Sequence, residues 1–292
     1  VATSETTRED LARMMVGREV FLNVEKPPVQ RGKIVMSVKD ITYISESGRP
    51  MLRGVNFNVY AGEILGIAGV EGNGQTELVE VLTGLRPATS GEALVEERNV
   101  INRTPREVRM AKIAHIPEDR LTNGLALNAN IDENLIVDRY FRPPFFKNAS
   151  IDYKQVEQFG AKMIAAYSIR TPNGRLPVAS LSGGNMQKVI VAREFSSAPD
   201  LLIAAQPTRG IDVGATEFIR QQLVRQRSAG TAVLLVSADL AEVMSLSDRI
   251  IAMFEGKITG VFPDASQVSE EELGLYMLGL KHQAPEEMER YL

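Results

Sequence analysis

The 292-residue sequence contains no cysteine, no tryptophan and only two histidines, His115 and His282. Without cysteine the chain has no disulfides, no thiolate nucleophile and no cysteine-ligated zinc. The two histidines are far apart in sequence, so a histidine-rich metal site is not expected. No apolar run approaches the ~20 residues of a membrane helix, and the N-terminus lacks the basic-then-apolar pattern of a signal peptide. These absences favour a cytosolic chain whose membrane role comes only through a partner.

The sequence also lacks an excess of positive charge, because it has 33 Lys and Arg residues and 37 Asp and Glu residues. The net charge of −4 and a sequence pI of about 5.5 argue against a nucleic-acid-binding surface. The apolar fraction of 44% and the charged fraction of 24% are ordinary for a globular protein. The length suits one large domain or two small ones.

Hydrophobic patterning predicts an α/β fold. Residues 1 to about 23 contain a helix signal, in which Thr7 is followed by Asp10, and Val24–Gly32 with Pro27-Pro28 has the composition of an extended linker. Two alternating segments predict a half-exposed antiparallel layer, Ile34–Tyr43 and Gly54–Tyr60. Shorter strands are expected at Glu63–Val70, Glu92–Glu96, Lys112–Ile116, Leu201–Ala205 and Thr231–Ser237, and a hairpin at Arg249–Phe254 and Lys257–Phe262 around Glu255-Gly256. Helices are expected at Gln75–Thr83, Val213–Ala229, Asp239–Met244 and Ser269–Leu278.

The remaining stretches are assigned from composition and from their position between these elements. Residues 117–175 are expected to be mainly helical, and the last dozen residues to be frayed. Strands that alternate with helices favour a parallel central sheet, with the 117–175 stretch as a helical insertion.

A glycine-rich loop follows the predicted buried strand and precedes a helix. Gly69-Val70-Glu71-Gly72-Asn73-Gly74-Gln75-Thr76 has the glycine spacing of a Walker A loop, whose backbone amides cradle phosphate. The Thr76 hydroxyl would bind Mg²⁺, whereas Gln75 stands where a lysine is expected. A glycine-rich strand-to-helix turn without a ligand is the alternative.

A second candidate anion site begins at Ser182. The segment Leu181–Gln187 is LSGGNMQ, and an amphipathic run to about Ser196 follows it. Ser182 is a good N-cap, and the amides of the first helical turn would face an anion. An ordinary capped helix after a glycine turn remains open from these residues alone.

Together these segments resemble the ATP-binding cassettes of ABC transporters. The resemblance covers about Ile34–Leu280 and is closest to the second half of fused, two-cassette subunits of simple-sugar and nucleoside importers. Its further motifs are Pro117–Arg120 (PEDR), Gln206–Gly214 (QPTRGIDVG) and Met14–Glu19 (MMVGRE), which resembles the end of a first cassette. The resemblance implies a P-loop NTPase fold with a mainly parallel central sheet, an N-terminal antiparallel β layer and a helical subdomain at about 118–196. Residues 1–33 would be the tail of a preceding cassette plus a linker, 34–280 the nucleotide-binding domain and 281–292 a C-terminal tail.

The catalytic positions of that family are changed in this sequence. No intact catalytic set is expected, and the degenerate positions are Gln75, Glu118, Ala205, Gln206 and Ala238. Glu118 replaces a glutamine, Ala205 the aspartate that supports Mg²⁺, Gln206 the glutamate that acts as general base, and Ala238 a histidine. A general base typically contributes about 10²–10⁴-fold, and glutamine cannot accept the proton. This chain, as the second cassette of such a subunit, is therefore expected to hydrolyse ATP weakly or not at all at its own site.

Binding of ATP and Mg²⁺ is still expected. The resemblance assigns nucleotide contacts to Tyr43, Gly69, Gly72, Asn73, Gly74, Gln75, Thr76 and Glu77, with Thr76 as a weak Mg²⁺ ligand. For Tyr43, a place as adenine-stacking aromatic and a place as plain strand aromatic are both open.

The intact signature points to a role in trans. ABC cassettes pair head to tail, so Ser182, Gly183 and Gly184 would complete the ATP site of a partner cassette. Asn185 and Gln187 would orient the loop, and Asp212 would lie in a loop that crosses the dimer interface, unless it only caps a helix.

The implied partners are an N-terminal cassette, a membrane permease that docks on the 118–146 region, and indirectly a solute-binding protein. The chain would then be cytoplasmic and peripheral to the inner membrane, and no nucleic acid is expected. Phe141, Phe145 and Phe146 are either part of the docking patch or local core. A nucleotide-responsive ABC scaffold without a transport role is the competing function, and co-purification with a membrane subunit would separate the two.

Overall fold

A computed structural model describes residues 24–28, 30–288 and 290–291, and the expectations for Thr7, Asp10 and Met14–Glu19 lie outside the described residues. The described chain forms two compact units. One contains 24–25, Asp119–Arg193 and Thr208–Val224, and the other contains Lys26–Glu118, Glu194–Pro207 and the chain from Arg225 onward. All strands but two belong to the second unit, which we call the sheet unit, and the first is called the helical unit.

The strands in chain order are β1 Ile34–Ile44, β2 Pro50–Tyr60, β3 Ile64–Ala68, β4 Ser90–Val95, β5 Arg98–Asn99, β6 Ile113–Ile116, β7 Phe146–Lys147, β8 Ser150–Ile151, β9 Leu201–Ala205, β10 Ala232–Val236, β11 Arg249–Phe254 and β12 Lys257–Phe262. The α-helices are α1 Gln75–Leu82, α2 Pro105–Met110, α3 Ile131–Ile136, α4 Tyr153–Ala166, α5 Gly183–Phe195, α6 Val213–Ser228, α7 Leu240–Leu246, α8 Glu270–Met277 and α9 Pro285–Met288. A π-helical turn spans Arg120–Gly124, and 3₁₀ turns span Val178–Ser180 and Ala265–Gln267.

Two sheets build the sheet unit. The first has the order β2-β1-β4-β5 and is antiparallel, and its strands β1 and β2 alternate buried and more exposed side chains over much of their length. The second has the order β12-β11-β3-β10-β9-β6, in which all pairs are parallel except β11 with β12. Every residue of β3, β9 and β10 is buried, because such strands are covered on both faces. The predicted α/β class, antiparallel layer and mainly parallel sheet are confirmed.

The parallel strands determine where the site lies. The glycine-rich loop follows β3, Glu118 follows β6, Ala205 ends β9 and Ala238 follows β10. Because the carboxyl ends of parallel strands share one edge of the sheet, these positions gather there, where ligands bind in open α/β sheets.

Paired charges stabilise the opposite region, where the chain enters the sheet unit. Arg249 and Glu63 are fully buried and their side chains pair at 2.7 Å, and Arg227 pairs with Asp248 at 2.7 Å. Arg227 also donates a 2.7 Å hydrogen bond to the carbonyl of Pro27. Pro27, within the predicted linker, is therefore held on the sheet unit. Removing one partner of a buried ion pair costs about 3–5 kcal/mol.

One local prediction was wrong, and two short helices were missed. Helices occupy less than half of residues 117–175, and a two-stranded hairpin, β7–β8, forms there. Helix α2 was missed although Thr104 and Glu107 form a reciprocal capping box with Pro105 in the first turn. The last dozen residues, expected to be frayed, contain the short helix α9.

Candidate functional site

The glycine-rich loop connects β3 to α1. Helix α1 begins at Gln75, and its N-cap Gly74 has φ 103° and makes no side-chain cap. The backbone amides of the first turn are therefore not satisfied by a cap, as expected for a phosphate-binding turn. Gly72 also has a positive φ, 89°, which a non-glycine residue rarely adopts.

Gln75 folds back into the loop. Its side-chain amide donates a 3.2 Å hydrogen bond to the carbonyl of Val70, and the residue is only 8% exposed. A Cβ at Gly69 would collide with the same amide. The Gln75 side chain thus fills part of the concave side of its own loop, where a lysine would carry positive charge toward phosphate.

The loop is also bound to the β11–β12 turn. The Asn73 side-chain oxygen accepts from the backbone amide of Glu255 at 2.9 Å, and the Asn73 carbonyl accepts from Gly256 at 2.9 Å. Asn73 therefore fixes the loop to the hairpin with both of its oxygens. The sequence predicted the hairpin, but nothing in it indicates this contact.

Thr76 and Glu118 meet at the start of α1. The Thr76 hydroxyl donates to a carboxylate oxygen of Glu118 at 3.2 Å. A hydroxyl and a carboxylate are ligand types that Mg²⁺ accepts beside phosphate oxygens and water. Glu77 follows, and one of its carboxylate oxygens is buried without a hydrogen-bond partner within the described chain.

The last residue of β9 and the residue that follows it carry no carboxylate. Ala205 is buried, and Gln206 has a left-handed backbone with φ 48°. The Gln206 side-chain oxygen accepts a hydrogen bond from the backbone amide of Ala238 at 3.0 Å. The backbone amide of Gln206 donates to the carbonyl of Val236 at 2.7 Å. Two of the predicted degenerate positions, Gln206 and Ala238, are thus bound to each other and brace the ends of β9 and β10.

Tyr43 lies in the core of the antiparallel layer. It is 7% exposed, its hydroxyl accepts from Arg86 at 2.7 Å, and the Arg86 guanidinium lies 5.0 Å from the ring centroid. Arg86 in turn pairs with Glu80, and that hydrogen bond raises the pKa of Arg86. This environment favours the plain strand aromatic over an open stacking surface for adenine.

The signature segment lies in the helical unit. Ser182 is exposed and directly precedes α5, and its hydroxyl accepts from the side-chain amide of Asn185 at 2.9 Å. The Asn185 side-chain oxygen accepts from the backbone amide of Arg170 at 2.8 Å, and Gln187 is 3% exposed. Asn185 thus connects Ser182 to a neighbouring segment, in agreement with an orienting role.

Gly184 packs directly on Asp212. A Cβ at Gly184 would lie 2.6 Å from the Asp212 carboxylate and 2.8 Å from the Ala215 side chain. Asp212 accepts from the Ala215 amide at 2.9 Å, so it caps α6. The cap that the sequence left open for Asp212 is therefore present, and it is part of the signature's packing surface.

The aromatic residues of the 118–146 region have different environments. Phe145 is 3% exposed and packs edge-on against Phe159 at 5.1 Å between ring centroids, so it belongs to local core. Phe146 is 38% exposed, and Phe141 is half-buried beside Tyr140. Of the two alternatives that the sequence left open for these phenylalanines, local core holds for Phe145.

One buried acid in the helical unit has a strongly shifted pKa. Burial, aided by nearby Glu157, raises the pKa of Asp132 to about 6, against a smaller opposite effect of Arg175. The Asp132 carboxyl occupies the space where Cβ atoms of Gly160 and Gly174 would be, and one of its oxygens has no partner within the described residues. Asp119, by contrast, has a lowered pKa because the Thr122 hydroxyl and the amides of Leu121 and Thr122 donate to it.

Across the described residues no cluster of three or more His, Cys, Asp or Glu side chains could hold a metal ion. The same residues contain no helix long and apolar enough to cross a membrane. The result on metal ligands does not bear on a metal ion that is bound chiefly through nucleotide phosphates.

A protein-family model described as ABC transporter matches residues 52–209, more than half of the chain. The chain belongs to the ABC transporter family. The match includes the glycine-rich loop, the signature segment, Ala205 and Gln206, and the expected P-loop NTPase cassette fold is confirmed.

Related cassette proteins come from bacteria and archaea. The guanosine import ATP-binding protein NupO of Bacillus subtilis is 44% identical over 275 residues, which is 94% of this cassette and 54% of NupO. The nucleoside import ATP-binding protein NupA of Lactococcus lactis is 38% identical over 96% of this cassette and 55% of NupA. A glucose import ATP-binding protein of Haloferax volcanii is 39% identical over 96% of this cassette and 51% of its own length. The chain spans about half the length of the curated relatives it matches.

Solved structures support the fold independently. A nucleotide-free ATP-binding cassette from an ABC transporter superposes with a TM-score of 0.67 at 22% identity, covering 89% of this chain and 99% of that one. A dimeric bacterial ABC transporter cassette gives a TM-score of 0.66 at 22% identity, covering 77% and 97%. At this identity the likeness concerns the fold alone.

Two arginines and one asparagine contact were missed by sequence reasoning. Arg86 covers Tyr43, Asn73 fixes the loop to the hairpin, and Arg120 bonds to carbonyls beside the signature. Arg120 lies in the PEDR segment, but no pattern in the sequence indicates its hydrogen bonds to the carbonyls of Arg209 and Gly210.

Proposed function

We propose that this chain is the C-terminal cassette of an importer ATPase for nucleosides or simple sugars. Its own nucleotide site does not hydrolyse ATP, and its signature segment completes the site of an intact partner cassette. Relatives named for guanosine, nucleoside and glucose import support the solute class. The half-length match to these relatives supports a longer subunit. The resemblance of Met14–Glu19 to the end of a first cassette supports a cassette that precedes this chain, with residues 1–33 as the connection.

The observation that carries the proposal is the contrast between two sets of residues. In the sheet unit, Ala205 and Gln206 provide no carboxylate for a metal ion or for a general base, and Gln206 is bonded to Ala238. In the helical unit, Ser182 is exposed at the start of α5 and is oriented by Asn185. General-base catalysis needs a group that takes the proton from water, and such a group is missing at Gln206. Hydrogen-bond donors that stabilise a phosphate, as proposed for the signature segment, need no group that accepts a proton.

The residues of the own site still fit a bound nucleotide. The amides of Gly74, Gln75 and Thr76 would hold phosphate oxygens, and Thr76 and Glu118 would hold Mg²⁺. When bound, the ion neutralises phosphate charge. Asn73 and the β11–β12 turn hold the loop in place for such binding.

The 118–146 region is the proposed docking surface for the membrane permease. It exposes several large apolar side chains on the helical unit, namely Leu121, Val137, Tyr140 and Phe146. Exposed apolar groups of this kind mark protein interaction sites. The cassette would then act at the cytoplasmic face of the membrane, and a solute-binding protein would deliver the solute to the permease.

The test is Mg-ATP hydrolysis by the chain alone and then by the chain mixed with an intact first cassette. We expect negligible turnover alone and clear turnover in the mixture. Gly183→Asp in this chain should abolish the gain, and the milder Ser182→Ala should reduce it by about 10²-fold, a typical loss for one transition-state donor. Ser180→Ala, an exposed serine two positions away, is the matched control and should keep full activity.

Appreciable turnover by the chain alone would contradict the proposal, because another residue would then act as the general base that Gln206 cannot provide. Full activity of both signature variants in the mixture would contradict it as well. Far-UV circular dichroism and the melting temperature of Ser182→Ala show whether the variant is folded.

A further inference from the structure

Arg120 bonds to two consecutive carbonyls next to the signature. It begins the π-helical turn after Asp119, and its two terminal nitrogens donate to the carbonyls of Arg209 at 2.7 Å and Gly210 at 2.9 Å. All of these residues lie in the helical unit. A planar guanidinium fork that spans two carbonyls fixes the direction of that backbone as well as its distance.

The same guanidinium lies against the first residue of α5. A Cβ at Gly183 would be 3.2 Å from one terminal nitrogen of Arg120 and 3.5 Å from the Gly210 carbonyl oxygen. Gly210 itself has φ 66°, so the carbonyl direction depends on a glycine. The missing side chain at Gly183 thus lets three parts meet: the signature, the Arg120 head group and the 208–212 loop.

A purely structural role explains this arrangement poorly. A cation beside the N-terminal end of a helix is unfavourable, because that end carries partial positive charge. The Arg120 Nε is also buried without a hydrogen-bond partner among the described residues, which costs stability. Such costs are typical of residues kept for function.

We propose that Arg120 is a positioning residue for the reaction in trans. It holds the 208–212 loop and the start of α5 in one arrangement, so that Ser182 and Gly183 face the phosphate of ATP bound to the partner cassette. The packing of Gly184 against Asp212 is a second contact between the start of α5 and the 208–212 loop. This inference rests on the proposed function, and it assigns no contact with the nucleotide to Arg120.

The experiment uses the ATPase assembled from this chain and its intact partner cassette. Arg120→Lys and Arg120→Gln should each lower kcat at least tenfold, while KM for ATP changes less than twofold, because the partner's own phosphate loop dominates binding. Lysine keeps the charge but cannot span two carbonyls, so it should not rescue. Arg98→Gln, at an exposed arginine of β5, is the control and should keep wild-type kcat.

A double-mutant cycle separates positioning from folding. Because Arg120 acts through the signature, Arg120→Gln should lower kcat less than twofold further in a Ser182→Ala background. Melting temperatures of the Arg120 variants should stay within a few degrees of wild type. Rescue of kcat by lysine, additive losses in the cycle, or wild-type kcat in both variants would overturn the inference. Loss of the Ser182→Ala effect itself would instead overturn the proposed function.

Discussion

The phosphate loop and the signature segment differ in where their polar groups point. In the loop, Gln75 bonds to Val70 and Asn73 bonds to the hairpin turn, so both side chains serve the protein itself. In the signature, Ser182 is exposed, and the contacts around it only orient it. On the proposed function, the comparison teaches that a cassette can lose hydrolysis at its own site and keep a surface that completes a partner's site, because the two depend on different residues in different units.

The largest effect is expected where the signature has no free space. Gly184→Ala places a methyl group 2.6 Å from the Asp212 carboxylate and 2.8 Å from the Ala215 side chain, so α5 must shift. We expect the assembled ATPase to lose about 10–100-fold in kcat, since small misplacements of catalytic groups cost on this order. Gly274→Ala in α8 is the matched control, because a Cβ there meets nothing within 4 Å. Equal kcat in the two variants would show that the Gly184 contact is not needed.

A moderate effect on stability, not on turnover, is expected at Asp132. Burial raises the pKa of Asp132 in the folded chain to about 6, above the ordinary value of 3.8, so the folded state holds the proton more tightly. The resulting penalty is absent below about pH 4, grows as the pH rises and is complete above about pH 6. Asp132→Asn should therefore raise the free energy of unfolding by on the order of 1 kcal/mol at pH 8 and have no effect near pH 4.

Urea denaturation of the chain at both pH values measures this difference. The kcat of the assembled ATPase should stay at the wild-type value. This result would separate the stability of the helical unit from its proposed effect on hydrolysis at the partner's site. A stabilisation that is the same at pH 4 and pH 8 would exclude titration of Asp132 as its cause.

At Gln75 a small loss of stability and less than a twofold change in turnover are expected. Gln75→Ala removes the hydrogen bond to Val70 and a nearly buried side chain, so the free energy of unfolding should fall by about 1 kcal/mol. The kcat of the assembled ATPase should change less than twofold, because the own site carries no chemistry in this account. A tenfold loss of kcat without unfolding would mean that the loop takes part in hydrolysis.

Regular patterns made most of the sheet predictable. Strands β9 and β11 begin and end where expected, because continuous apolar runs between turn residues specify them strongly. Helix α2 was visible in Thr104-Pro105 and Glu107 but is only six residues long, so hydrophobic periodicity could not indicate it. The β7–β8 hairpin consists of two-residue strands, too short for any alternation.

The candidate site was predictable in residue type but not in contact. The order of the family's motifs in the sequence assigned the changed catalytic positions, which are Gln75, Glu118, Ala205, Gln206 and Ala238. The bonds from Gln206 to Ala238 and from Arg120 to Gly210 join residues 32 and 90 positions apart, and only the fold brings them together. The burial of Tyr43 beneath Arg86 likewise depends on a contact 43 positions along the chain.

The most direct test of the account compares one hydroxyl from each region in a single assay. Thr76→Val removes the hydroxyl of the own site, and Ser182→Ala removes that of the signature. In Mg-ATP hydrolysis by the assembled ATPase, the account predicts about 10²-fold loss for Ser182→Ala and at least half of wild-type kcat for Thr76→Val. The reverse pattern, or equal losses in both folded variants, would contradict the claim that this cassette serves its partner's site and not its own.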